Sequence, residues 1–202
     1  MNLGGAVLFL LFFHLFIYSV WNSSFYMADL RNWATICKEF ANSYGLICDS
    51  TSLDTSIHFS GNYAGYSFKL EVVLMGGGES VPPELNLRIR ITNVGRLGDS
   101  FKITEAHLLS RKQPGLSIPK LEHDYEITGL SGNNYISLFK TSSFCESILK
   151  FHPNFLSLEK QELTFSKRVT ENKLEELRGY SNFLCHIGNE INHLNDMAKA
   201  EL

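Results

Sequence analysis

No Lys, Arg, Asp or Glu occurs before Asp29: all 18 basic and all 21 acidic side chains come after Met27. Beyond that point the two signs are interspersed at a formal net charge of -3, with no basic stripe, which excludes nucleic acid as the expected partner. Cysteine is scarce. Cys37, Cys48, Cys145 and Cys185 form no CxxC pair and no dense framework, so a small disulfide-stapled scaffold is excluded and reduced thiols packed as small hydrophobes are expected. Catalytic signatures are missing as well. Gly76-Gly77-Gly78 lacks the Gly-Lys-Ser/Thr ending of a phosphate loop, Gly129-Leu130-Ser131-Gly132 is not a nucleophile elbow, and nothing around Cys145 marks an activated thiol. There is no internal repeat.

What fills the uncharged start is apolar. Leu3 to Trp21 is nearly all hydrophobic, and about 19 residues at about 1.5 Å each make roughly 28 Å, the hydrocarbon thickness of a bilayer. The run predicts a transmembrane anchor over residues 1–26, with Tyr18, Trp21 and Tyr26 at the interface. A cleaved signal peptide is the competing reading, disfavoured by the absence of a preceding Lys or Arg and by the poor cleavage site around Ser19 and Trp21. Arg31 and Lys38 follow the run, so the positive-inside rule places the remaining domain, residues 27–202, in the cytoplasm of a single-pass membrane protein.

That remainder reads as α+β. Phe68, Leu70, Val72 and Leu74, then Leu85, Leu87, Ile89 and Ile91, alternate with polar neighbours, the period of half-buried antiparallel strands. Burying the second four alone is worth about 6 to 12 kcal/mol gross, so something must cover that face. Three helices are available: Ala28 to Tyr44, with Gly45 as its C′ residue; Asn133 to Phe151, stopped by Pro153; and a C-terminal helix whose Leu177, Tyr180, Leu184, Ile187, Ile191 and Leu194 step by 3 and 4. Asn62 to Gly65 suits a three-residue hairpin loop with a bulge, and Glu159-Lys160-Gln161 marks a second hairpin. The expected architecture is therefore an anchor followed by a mainly antiparallel sheet of about six or more strands under about three helices. The terminal helix is expected to dock on the sheet, because the other two leave part of a sheet that size uncovered.

His186, Glu190 and His193 fall within about 60° on one helical face and are the metal-site candidates. No second Glu-x-x-His exists on another helix, and the trio points away from the apolar stripe, so a solvated face is the competing reading. His58, His107, His123 and His152 could serve a dispersed catalytic site, although histidines and carboxylates are available in any such chain. No catalytic residue and no cofactor is expected.

The Trp33-bearing helix, the hairpin Phe59-Ser60-Gly61-Asn62-Tyr63-Ala64-Gly65-Tyr66-Ser67-Phe68 and the strand entry Gly98-Asp99-Ser100-Phe101 resemble a loose group of uncharacterised microbial membrane-associated α+β domains. The resemblance spans Leu30 to Phe101 and implies no activity. The function expected from the sequence is a membrane-tethered interaction or assembly domain with the membrane and a protein as partners. The alternatives are a membrane-bound enzyme with dispersed catalytic residues and a module for a small apolar or lipidic ligand.

Overall fold

A computed structural model describes residues 12–13, 28–50, 56–75, 84–95, 100–106, 121, 124–129, 138–140, 142–169 and 173–200. The first helix, α1, covers residues 28–44. It ends as its sequence requires: Gly45 takes φ +67° and the Leu46 amide donates to the Ala41 carbonyl at 2.9 Å, the long bond of a Schellman cap.

Among the described residues eight strands follow: β1 (Ile47–Ser50), β2 (Ser56–Tyr63), β3 (Tyr66–Met75), β4 (Glu84–Thr92), β5 (Phe101–Glu105), β6 (Tyr125–Thr128), β7 (Phe155–Glu159) and β8 (Glu162–Arg168). They form one antiparallel sheet in the order β1-β2-β3-β4-β8-β7-β5-β6. The first four strands are a meander. The chain then starts again at the far edge with β5 and β6, crosses through α2 (Ser142–Phe151), and fills the gap with the β7–β8 hairpin. Both tight hairpins have two-residue loops. Tyr63 pairs with Tyr66 around Ala64 (φ +51°) and Gly65 (φ +87°), and Glu159 pairs with Glu162 around Lys160 (φ +48°) and Gln161 (φ +72°). Two consecutive positive φ values are the type I′ signature, whose twist matches the strands, so the expected bulged loop at Asn62 to Gly65 is corrected by one residue.

One face of the sheet is buried under helices. The phase of the alternation assigns Ile57, Phe59, Phe68, Leu70, Val72, Leu87, Ile89, Ile91, Phe101, Ile103, Leu163 and Phe165 to that inner face, and all are buried. Helix α1 lays Phe40 on Tyr63 and Phe68. Residues 138–140 and α2 bring Phe139 against Phe101 and Phe144. The last helix, α3 (Leu174–Ala200), packs on β4 and β8, with Leu177, Leu184, Ile187 and Ile191 buried along the 3,4 stripe. A polar ladder sets its position. Tyr63 donates to Asn182 Oδ1 at 2.6 Å, Tyr66 to Asn189 Oδ1 at 2.7 Å, and Asn192 bridges the Tyr66 hydroxyl and the Gly95 amide. Gly188 lies so close to Tyr66 and Ile91 that a Cβ there would come within 3.0 Å of both. Burial, then the neighbouring Tyr44, pushes the Tyr63 hydroxyl up to about 12, so it remains a donor. Lys167 reaches from the inner face to the Phe151 carbonyl at 2.7 Å and lies over the Tyr180 ring, where desolvation lowers its pKa against the pull of Glu176.

The membrane architecture expected from the sequence is corrected. Among the described residues no helix is long and apolar enough to cross a membrane. The run Leu3 to Trp21 lies outside the described residues except for Phe12 and Phe13, which are helical and exposed. The single-pass, cytoplasm-facing placement rested on that run and falls with it. The expectation rests on hydropathy, interfacial aromatics and flanking charge, and no described helix has the length and apolarity to carry it.

None of the four cysteines is disulfide-bonded. Cys37, Cys145 and Cys185 are buried and Cys48 is exposed, and burial raises the Cys37 thiol to about 12 and the Cys185 thiol to about 11. Since the thiolate is the nucleophile, maleimide at neutral pH is expected to label Cys48 in the native protein. In denaturant without reductant it should label all four, as mass spectrometry would count. Native labelling of Cys37 at the rate of Cys48 would contradict the packing of α1.

Candidate functional site

The second face of the sheet, on which no described helix lies, carries the polar phase of every strand. Register turns these side chains into rows. One runs His58, Glu71, Arg88, Ser166, Phe155 across β2, β3, β4, β8 and β7. The next runs Lys69, Arg90, Thr164, Ser157, Lys102 across β3, β4, β8, β7 and β5. At about 4.8 Å between strands the second row spans about 19 Å, from Lys69 beside Arg90 on one side to Lys102 on the other, with the two hydroxyls between.

Glu71 is the hub. Its Oε2 lies 3.4 Å from both Arg88 Nη1 and Arg90 Nη2, and its Oε1 lies 3.3 Å from His58 Nδ1. The Glu71 side chain is only 14% exposed, whereas Arg88 and Arg90 are half-buried. His58 is held from behind by Ser56, whose hydroxyl is 2.8 Å from Nε2. Cross-strand opposite charges stabilise a sheet modestly. These contacts are long beside the roughly 2.7–2.9 Å of a good charge-assisted bond, so Glu71 neutralises the arginines without saturating them. Two guanidinium groups offer more N–H donors than one carboxylate can engage. One of them is stranded: Arg90 Nε is buried and has no hydrogen-bond acceptor among the described residues, a costly state for a charged donor. Around this hub, Ser157 and Ser166 are buried, the Ser166 hydroxyl bonds Asn86 Oδ1, and Lys102 sits 5.2 Å over the Phe155 ring. Towards one end the face turns apolar, with Val73 half-buried and Met75 exposed.

The candidates named from the sequence do not meet there, apart from His58. His186 and His193 are exposed on α3 and Glu190 is half-buried, and among the described residues no group of three or more His, Cys, Asp or Glu could hold a metal ion. His152 is exposed at the end of α2 with φ +45°, Cys145 is buried against the Phe139 carbonyl, and Gly76 to Gly78, His107 and His123 lie outside the described residues. Glu71, Arg88 and Arg90 were missed. Their signal was present as charge in the polar phase of two strands, but the register that sets Glu71 opposite Arg88 is not written in either strand alone.

No family model matches the chain, and no curated protein matches it. Among solved structures, the fold is similar to the crystal structure of the mycobacterial trehalose monomycolate transport factor A, TtfA, with a TM-score of 0.51 at 13% sequence identity over 81% of this chain and 94% of that one. At that identity the likeness is one of fold.

Proposed function

We propose that this domain is a non-catalytic binding module for an amphiphile, whose head group it recognises on the second face of the sheet. Of the readings the sequence allows, this is the alternative of a module for a small apolar or lipidic ligand, preferred here to the interaction or assembly domain. The observation that carries it is the face itself: cations and hydroxyls in register, a stranded Arg90 donor, and Phe155, Val73 and Met75 alongside. A ligand with a polar head and an apolar chain matches that mixture. The layer between helices and sheet supports the same reading by exclusion, since Phe40, Phe68, Phe101 and Phe165 already fill it at 0% exposure. The similar fold belongs to a trehalose monomycolate transport factor, which supports an amphiphile as the ligand class.

The test is a titration with short-chain amphiphiles below their micellar concentration, followed by backbone amide chemical shifts. Shifts are expected along β3, β4, β8 and β7. If no shifts appear, or if they cluster on Leu184, Phe68 and Phe40 inside the core, the proposal is wrong.

A further inference from the structure

We infer that Arg88 and Arg90 form the seat for a phosphate group on that amphiphile, and that Glu71 is an internal carboxylate occupying the seat until the ligand arrives. This rests on the amphiphile reading and specifies its chemistry. Arg88 and Arg90 are two residues apart on β4, so both side chains rise from the same face of one strand. Both meet a single carboxylate oxygen, Glu71 Oε2, each at 3.4 Å. A shared oxygen between two guanidinium groups marks the position where both forks converge. A carboxylate rooted on β3 reaches it only at long range, whereas a phosphate, with tetrahedral oxygens and no backbone tether, can engage each fork at normal bond length.

Charge favours the same ligand. Where the two forks converge, Arg88, Arg90 and Lys69, which pairs with Arg90 in register, outnumber the Glu71 carboxylate, a local excess of positive charge; on the same face Glu84 is engaged by Arg168 at 2.7 Å, and Glu159 and Glu162 stand at the β7–β8 hairpin. A phosphate monoester would balance that local excess and give Arg90 Nε the acceptor it lacks. Thr164, opposite Arg90 in register, has its hydroxyl on Glu162 Oε1 at a long 3.4 Å and is the hydroxyl nearest the two forks. When the ligand binds, Glu71 can turn to His58, which already touches its other oxygen at 3.3 Å. Glu71 thus sets selectivity. It repels weak anions that cannot displace it and yields to a dianion that outbids it at both arginines.

The experiment uses the full chain and calorimetric titration with three probes: dihexanoyl phosphatidic acid, the neutral amphiphile octyl glucoside, and inorganic phosphate. Phosphatidic acid is expected to bind at least about tenfold more tightly than either of the others, and to weaken as salt is raised. Arg90→Gln should lose about tenfold or more for phosphatidic acid and leave octyl glucoside unchanged, with Arg90→Lys recovering part of the loss. Glu71→Gln should tighten phosphatidic acid several-fold, the opposite of what loss of a merely structural ion pair would do. Melting curves of the variants verify that each is folded. Equal binding of the two amphiphiles, insensitive to Arg90→Gln, would overturn the phosphate seat and leave the amphiphile reading standing. Inorganic phosphate binding as tightly as phosphatidic acid would keep an anion site but overturn the amphiphile. Binding of neither amphiphile would overturn both.

Discussion

Leu184→Asp is expected to leave the protein unfolded at 25 °C. Leu184 is 0% exposed at the middle of α3, where the helix crosses the centre of the sheet. An aspartate there must either bury an unpaired carboxylate or take up a proton to avoid it, and both are costly. The lost leucine contacts add to that cost. Together they exceed about 4 kcal/mol, the range in which single substitutions are diagnostic, against a total stability of about 5–15 kcal/mol. Far-UV circular dichroism would show the loss of helix and strand together. If the variant instead melts where the wild type does and only an association is lost, α3 is an interface and the packing described here is wrong.

Phe165→Ala is expected to cost about 3–5 kcal/mol. Phe165 is 0% exposed on β8, stacked on Tyr180 at 5.3 Å and edge-on to Phe183 at 5.9 Å. It is the ring that joins α3 to the centre of the sheet. Its neighbours come from a helix and cannot collapse into the gap without breaking the Tyr66–Asn189 and Tyr66–Asn192 bonds that fix the helix along its length. For a chain of this size the Tm should fall by on the order of 10 °C, read by differential scanning calorimetry. Lys69→Ala, on the exposed second face, should stay within about 0.5 kcal/mol of the wild type. A Phe165→Ala variant as stable as Lys69→Ala would mean that the inner layer is looser than its ring geometry shows.

Individual elements differ in how much of them the sequence disclosed. The strands Tyr66–Met75 and Glu84–Thr92 and the stripe of α3 were legible because each is a one-dimensional pattern, a period of two or of three and four, set by which side chains must leave water. The Gly45 cap was legible because its conformation is a local property of glycine. The hairpin at Ala64-Gly65 was misjudged by a residue, since loop length there follows from Tyr63 facing Tyr66, a pairing that neither residue specifies. Hydropathy of Leu3 to Trp21 suggested a span that the described helices do not supply.

The candidate site shows the division most sharply. Alternation by itself determined that Glu71, Arg88 and Arg90 leave the core, and that the helices cover the opposite face, because burying apolar area and keeping charge hydrated leaves no other choice of face. Only the tertiary structure decided that β8 rather than β5 inserts beside β4, that Arg88 stands between Glu71 on one side and Ser166 on the other, and that one carboxylate oxygen serves two arginines. The reason is physical: a strand's own residues fix which side of the sheet they face. Which charges become neighbours depends on strand order and register, and those are chosen by the packing of the whole layer.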